Sequence, residues 1–467
     1  MTRNQQHTAT RSFLTMAAII GVAAILLFGM LAFSPKAYAA LGAGAIDDSP
    51  GTAATEIDTQ KKLPSVTITP KTDSPNEKLV KYSDTYTKQL KNFWVMSYYM
   101  QLFEKKGGGT ITLKKGTYQL PISVQVPSNV TFIFEDGVVI NKTRNTGTTR
   151  VKSNTPLFQM IAPSKYSKKG AVGNYNGTKN VKFIGKGNVV FNMNYVEPGC
   201  AIIMAQNQKM TFSGITFKNL AAHAFELDAS KNVVIEDCSF LNMRSNNKTT
   251  EAINLDTPDK KTGGFSFAWS KFDKKPNVNV TIQNCTFKNF NRGIGTHKYS
   301  QNNGKDMMHT NIRILNNKFT NMKGTEGCVV AMNWKNVTIK GNVISGKGKN
   351  FSITEKKGSK KTKVYSCGIV LHSTQGAMVS NNKISNFYAT ISIRRGFTAS
   401  GYKLPAKVSM TAKQLEALST NTYVAGSVAY PEAGMTTETY YYWEAVKMWQ
   451  PSTMAKHHFK TYDLTEA

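Results

Sequence analysis

Between Phe212 and Asn386 the chain writes the same short pattern six times. It consists of an apolar residue, two variable positions, a Cys or Asn (once Ile), one variable position, a second apolar residue, and then usually Asn two further on. The copies are Phe212, Ile215, Phe217, Asn219; Ile235, Cys238, Phe240, Asn242; and Ile282, Cys285, Phe287, Asn289. They continue as Ile314, Asn317, Phe319, Asn321; Ile339, Asn342, Ile344, Gly346; and Val379, Asn382, Ile384, Asn386. Their spacing is irregular but never below 23 residues, which is the mark of a solenoid whose coils carry loops of different length. Apolar positions around each copy alternate with period two, so the units are strands rather than helices. The closing Asn or Gly suits a tight turn with positive φ.

Coils stacked in this way put equivalent residues about 4.8 Å apart along the axis. Cys238, Cys285, Asn317, Asn342 and Asn382 then form one internal ladder. The expected fold is all-β: a single-stranded, right-handed parallel β-helix. Cys328 and Cys367 are read as equivalent positions of another column. Five cysteines in an exported chain cannot all pair with each other, so a buried stack is expected rather than a disulfide framework.

The flanking segments read differently. Basic residues Arg3 and Arg11, an apolar run from Phe13 to Phe33 and the small-residue site Ala37-Tyr38-Ala39 make residues 1–39 a secretory signal; uncleaved, the run is long enough to anchor the chain in a membrane. Residues 40–85 are rich in Thr, Ser, Pro and charge and read as a flexible linker. Residues 85–105 have amphipathic helical spacing and suit an N-terminal cap, with Gly107-Gly108-Gly109 stopping the helix. The β-helix is assigned to 86–396 and a C-terminal extension to 397–467, with a helical stretch expected at 412–418. A secreted or cell-surface location follows.

A second strand precedes each copy of the repeat. It is aligned as Ile202–Ala205, Phe225–Asp228, 253–256, 294–297, 330–333, 369–372 and 391–394, with first and third residues facing the core. The outward fourth positions then form a row: Ala205, Asp228, Asp256, His297, Asn333, His372 and Arg394. Glu226 and Asn254 stand beside it. The apolar outward residues Ile203 and Val370 imply that loops or substrate cover part of this face. The minimal interval from row to ladder is nine or ten residues, yet it is 29 after Asp256 and 20 after His297. The first enlargement carries Phe265, Phe267, Trp269 and Phe272 with Lys260, Lys261 and Lys271, groups suited to sugar faces and to acidic substituents. A third insertion, 346–363, holds a dense lysine run, read either as a solvated loop or as a glycan clamp.

The Gly-Gly-Gly-Thr-Ile-Thr-Leu-Lys-Lys-Gly-Thr-Tyr opening at 107–118 and the coil motifs resemble the pectin lyase-like superfamily of parallel β-helix proteins. The resemblance implies action on polysaccharide in a groove along one parallel sheet. The order Asp228, Asp256, His297, Arg394-Arg395 is similar to that of its polygalacturonases, although the Asp-Asp dyad and Gly-His-Gly context of that family are missing. Calcium-dependent pectate lyases cluster acids on adjacent coils as Glu226, Asp228 and Asp256 do. That spacing is not distinctive, so Ca2+ is a weak signal and no metal or cofactor is expected.

Chemically, Asp256 is read as general acid, Asp228 as base or nucleophile, and His297 as orienting substrate or tuning Asp256. Glu226, Asn254, Trp269, Lys298, Tyr299, Asn333, His372 and Arg394 are read as substrate-binding. In the competing β-elimination, His297, Lys298 or Tyr299 moves the proton and Arg394 neutralises a uronate. Glu251 and Arg292 occupy equivalent sites in neighbouring coils and are read as an ion pair, while His223 and His309 are read as structural. The net charge of +31, about +28 once Arg3, Arg11 and Lys36 leave with the signal, points to a polyanionic partner. The leading expectation is a secreted enzyme, glycosidase or lyase, cleaving an acidic polysaccharide, uronate-containing or sulfated. The alternative is a non-catalytic surface protein binding anionic glycan or cell-wall polymer. No nucleic-acid module is present, so nucleic acid is not an expected partner.

Overall fold

The computed structural model describes residues 63–79, 83–244, 250–325, 327–348, 352–357, 359–394, 398–399, 402–403, 410–424, 427–431 and 440–444. The proposed signal and most of the linker lie outside this set. Among the described residues no helix is long and apolar enough to cross a membrane.

The repeat does what its period requires. The described residues from 63 onward form one compact unit built on sheets of 10, 11 and 10 strands, in which strands pair in parallel with their counterparts one coil later, apart from the antiparallel Tyr440–Glu444 against Ser427–Pro431. This is the right-handed parallel β-helix expected. One sheet holds the first apolar column in register, from Phe212 through Ile235, Ile282, Ile314 and Ile339 to Val379. Another holds Phe217, Phe240, Phe287, Phe319, Ile344 and Ile384. Four of these phenylalanines stack face to face with centroids 5.4, 4.7 and 4.5 Å apart. Burying each contributes about 1.5–3 kcal/mol. The turn residues behave as their type demands: Asn219, Asn242, Asn289, Asn321 and Asn386 all have φ between 54° and 65°.

The internal ladder carries the bend between these two sheets. The chain passes there from one sheet to the next, and backbone N–H groups that no strand can pair are satisfied by the amide of the next coil. The Cys285 N–H donates to Asn317 Oδ1 at 2.8 Å, the Asn317 N–H to Asn342 Oδ1 at 2.8 Å, and the Asn342 N–H to Asn382 Oδ1 at 2.9 Å. Each side-chain amide also donates onward, Asn317 Nδ2 to Asn342 Oδ1 and Asn342 Nδ2 to Asn382 Oδ1. All five cysteines are buried free thiols.

The helix Lys91–Lys106 buries Phe93, Trp94, Met96, Met100 and Phe103 against the first strands of the three sheets. Gly107 ends it at φ 84°, with Lys105 and Lys106 placed favourably at the negative end of its dipole.

Four expectations need correction. The first strand is Ser65–Ile68, inside the segment read as linker, and it pairs in parallel with Gly109–Leu113. The repeat also runs on past residue 396: Asn421 extends the ladder by accepting from Asn382, and Thr422–Val424 and Ser427–Pro431 add strands to two sheets. The helix Ala412–Ala417 falls inside that last coil, and its length hid the spacing. Thirdly, the strand read as 330–333 begins one residue earlier, with Val329 beside Ile294 and Ile369. Val329-Val330-Ala331-Met332 is apolar throughout, so alternation cannot reveal which residues face inward. Asn333 therefore leaves the outward row and sits at the following bend with φ 58°; Met332 takes its place. Finally, Cys328 and Cys367 are not equivalent, because Cys328 precedes Val329 by one residue and Cys367 precedes Ile369 by two.

Asn342→Ala should lower unfolding free energy by on the order of 2–4 kcal/mol, because it orphans the Asn317 N–H and its amide. Asn321→Gly, at an exposed turn, should cost less than about 1 kcal/mol in the same denaturant titration.

Candidate functional site

The outward face of the 11-stranded sheet gathers buried carboxyl groups on adjacent coils. On one side of them Ile203 and Ala205 are covered by Ile161, Val172, Cys200, Phe265 and Trp269. On the other, Val330, Met332 and Val370 pack with Tyr299, Cys367 and Ala389, and Tyr402 leans on this cluster. The strands Phe225–Asp228, Glu251–Asp256 and Arg292–Gly295 lie between these two apolar covers. Their outward residues are Glu226, Asp228, Asn254, Asp256 and the side-chain-free Gly295. His297 follows just beyond the third strand.

Register brings these groups together. Glu226 pairs with Asn254 and Asp228 with Asp256 across one coil step, and Asn254 Nδ2 donates to Glu226 Oε1 at 3.1 Å. Asp256 Oδ1 accepts the backbone N–H groups of His297 at 3.2 Å and Lys298 at 2.9 Å. Its Oδ2 lies 3.6 Å from His297 Nε2. The other ring nitrogen, Nδ1, meets Glu251 Oε2 at 3.1 Å, and the opposite oxygen of Glu251 accepts from Arg292 Nη1 at 2.7 Å. The ion pair read from the sequence is thus present, and it is fully buried. It forms one end of an alternating chain: Arg292, Glu251, His297, Asp256.

His223, read as structural, belongs to this group. Its Nδ1 lies 2.7 Å from the Glu251 carbonyl oxygen, which fixes the N–H there. That turns Nε2 toward Glu226 Oε2 at 3.6 Å, and the ring centroid stands 5.6 Å from that of His297. A signal existed in the sequence. His223, Glu251 and Arg292 each precede the first inward residue of their strand by two positions, so they form a row of their own.

The electrostatics follow from counting charges in a space closed to water. Burial would raise Glu251, but His297 and Arg292 draw it down to about 2. Burial alone would strip the proton from His297; Asp256 and Glu251 reverse this and raise it to about 9. His223 loses to burial and falls to about 4 despite Glu251. Burial raises Asp256, while His297 and the Lys298 N–H limit the rise. That leaves Glu226 and Asp228 with no cation of their own. Burial, reinforced by Asp256, pushes Glu226 up to about 8. Burial and the neighbouring Glu226, with which it shares a hydrogen bond, push Asp228 well above the carboxylate range. At neutral pH this pair keeps protons while Glu251 is ionised and His297 is cationic. Glu226 and His297, with side chains 13% and 25% exposed, are the most exposed members of the cluster.

Several expected binding residues lie elsewhere. Trp269 is 2% exposed, donates Nε1–H to Gln159 Oε1 at 3.3 Å, and is part of the apolar cover, because an aromatic-rich loop laid over Ile203 buries its rings. Tyr299 is buried in the other cover, its hydroxyl donating to the Tyr402 carbonyl. Lys298 reaches the cluster through its backbone N–H. Asn333 is buried at its bend, and His372 is buried two coils beyond His297, about 10 Å along the axis. The side chain of Arg394 lies outside the described residues. His309 is buried and accepts the Asn277 N–H at 2.9 Å. For a metal, Glu226, Asp228 and Asp256 do come together. Among the described residues, His223, Glu251 and His297 also offer ligand atoms within 4.8 Å of one another. Within that trio Glu251 is already held by Arg292, and His223 Nδ1 by a carbonyl.

No protein-family model matches the sequence, and no curated protein matches it. Among solved structures the chain is similar to PfbA, a surface adhesin of Streptococcus pneumoniae, at 18% identity and TM-score 0.47, over 72% of this chain and 84% of that one. It is similar to a polygalacturonase from Erwinia carotovora at 13% identity and TM-score 0.43, over 73% and 82%. A third likeness is to a tailspike protein mutant of E. coli bacteriophage HK620 in complex with pentasaccharide, at 15% identity and TM-score 0.44, over 78% and 63%.

Two stability measurements check this reading. Folded Glu226 holds its proton to about pH 8, whereas the unfolded carboxyl releases it near its ordinary value of 4.5. Between those values the unfolded state binds fewer protons, so stability falls as pH rises. Glu226→Gln should therefore melt higher than wild type at pH 8 and nearly equal to it at pH 4. Trp269→Ala should cost about 3–5 kcal/mol of stability, as expected of a buried ring rather than a sugar platform.

Proposed function

We propose that this protein is an extracellular carbohydrate-active enzyme that hydrolyses an acidic polysaccharide, with Glu226 as proton donor and Asp256 as its anionic partner. The observation behind this is the unequal sharing of charge among four carboxyl groups on adjacent coils. Glu251 and Asp256 contact His297 directly, whereas Glu226 feels it only weakly against its burial and Asp228 has no cation in contact. Two titratable acids pushed apart by their surroundings are what glycoside hydrolysis needs. In the step itself Glu226 gives its proton to the glycosidic oxygen as the C–O bond breaks. Water adds to the anomeric carbon, and its proton passes to Asp256. Asp228 is wholly buried beside Glu226 and has no role on the substrate itself. His297 holds Asp256 through Nε2 and presents positive charge at the surface of the groove. That charge argues against His297 as the base of an elimination, since a ring protonated up to about pH 9 has no lone pair to offer at neutral pH.

A second reading, a non-catalytic surface protein that binds anionic glycan, is favoured by one observation: Asp228 and Asp256 are fully covered. Incubation with uronate-containing and sulfated polymers separates the readings. New reducing ends without the ultraviolet absorbance of an unsaturated uronate indicate hydrolysis; both signals together indicate elimination. Binding with no turnover across the panel leaves the second reading.

Asp256→Asn should lower turnover by at least about a hundredfold, the scale of a lost acid–base partner, and His297→Ala should abolish it. Wild-type rates in either variant would remove the cluster from the chemistry. Activity should decline as pH rises through about 8, where Glu226 gives up its proton.

A further inference from the structure

The 10-stranded sheet that carries the phenylalanine stack differs from the other two in its charge. It includes the strands Thr216–Leu220, Ser239–Met243, Thr286–Lys288, Lys318–Met322, Val343–Gly346 and Lys383–Ser385. None of its ten strands contains Asp, Glu or Arg. Phe217, Phe287, Phe319 and Ile384 point into the core, so alternation turns Lys218, Lys288, Lys318 and Lys383 outward.

Register fixes where these four groups stand. Lys218 and Lys288 share one column with Leu241 between them. Lys318 and Lys383 share the next column with Val343 between them. Members of a column are thus two coils or about 10 Å apart, and the columns lie about 7 Å apart along the strands. Together the lysines cover about 24 Å of the axis, five coil steps from first to last. The neutral residue in each gap keeps like charges from standing directly opposite one another.

Nothing on the protein neutralises this face. In the ladder the lysines neighbour Asn192, Leu241, Thr286, Thr320, Val343 and Thr422, none of them acidic. Among the described residues none of the four lysines joins an ion pair. Val343, 43% exposed, leaves an apolar spot between Lys318 and Lys383.

The occupant follows from what the face offers. The aromatic rings at Tyr118, Phe191, Phe217, Phe240, Phe287 and Phe319 are all buried, so they give a nucleobase no stacking platform. Lysines are point charges, and set among hydroxyls they suit carboxylates or sulfates recurring along a hydroxyl-rich chain.

We propose that the outward face of this 10-stranded sheet is a second glycan-binding surface. An anionic polysaccharide lies on it along the axis, with its acidic groups at Lys218, Lys288, Lys318 and Lys383. The surface is separate from the carboxyl cluster of the 11-stranded sheet, and its task is to hold polymer rather than to cut it. It rests on the reading above only for the polymer's being a glycan.

The test is a full-length variant carrying K218Q, K288Q, K318Q and K383Q. It is compared with wild type and with a control carrying K168Q, K169Q, K182Q and K186Q, which loses the same charge at exposed lysines elsewhere. Binding to polygalacturonate, to carrageenan and to single-stranded DNA is measured over a series of salt concentrations. The face variant should bind a glycan at least about tenfold more weakly at low salt, with a slope of log affinity against log salt shallower by about 3, as four charges on a flexible polyanion give. The control should stay close to wild type, and both variants should melt with it, as exposed side chains allow. Equal weakening in the two variants would overturn the proposal, because diffuse charge would then suffice. Unchanged affinity in the face variant would overturn it too, as would a wild type that prefers the DNA to either glycan at equal salt. Glycan binding that depends on this face, with no polymer cleaved by wild type, would sink the hydrolase reading and leave this one standing.

Discussion

Parallel pairing of each strand with its counterpart one coil later sets a step of about 4.8 Å, and the rest of the molecule inherits that step. It places Phe217, Phe240, Phe287 and Phe319 at stacking distance in the core. It also places the amides of Asn317, Asn342, Asn382 and Asn421 where each satisfies the backbone of the coil before it. A parallel sheet supplies no hairpin to fix its register, so side-chain ladders at the bends take over that task. The interior amide ladder is the stricter of the two kinds seen here, because a buried N–H without a partner costs more than one facing water. Exposed turns have a looser version, with Asn321 donating to Asn289 and Asn289 to Asn242.

The same step creates the site by forcing carboxyl groups together. Adjacent coils cannot separate Glu226 from Asn254 or Asp228 from Asp256, whatever their charges. The fold answers with Arg292 and His297, which serve Glu251 and Asp256 and leave the other two acids to keep their protons. Apolar covers on both sides exclude water from the neighbouring coils, and this strengthens the electrostatics in the gap between them. Trp269 and Tyr299 thus act on the electrostatics of the cluster indirectly, as buried walls that lower the local dielectric.

Two basic groups, Arg292 and His297, stand inside this gap, each against a buried carboxyl group. Lysines lie beside it, Lys261 and Lys274 of the loop after Asp256 standing over the Tyr402 ring at 4.2 and 5.5 Å.

The sequence by itself determined the fold, the column of apolar residues, the ladder and the row from Asp228 through Asp256 to His297. A period-two pattern repeated coil after coil leaves one way to bury its apolar faces. Alternation stops carrying information where a strand is apolar on both faces, as at Val329–Met332, so the register slipped by one residue and Asn333 was misplaced. Nor can composition tell a ring that covers the protein from one that awaits a ligand, which is why Trp269 and Tyr299 read as binding residues. Only the tertiary structure decided that His223 joins the cluster, that Glu251 ties both histidines together, and which carboxyls are left without a cation. Those outcomes depend on distances of 2.7–3.9 Å between side chains from different coils. A one-dimensional repeat specifies which residues are neighbours, but not the directions in which their side chains turn.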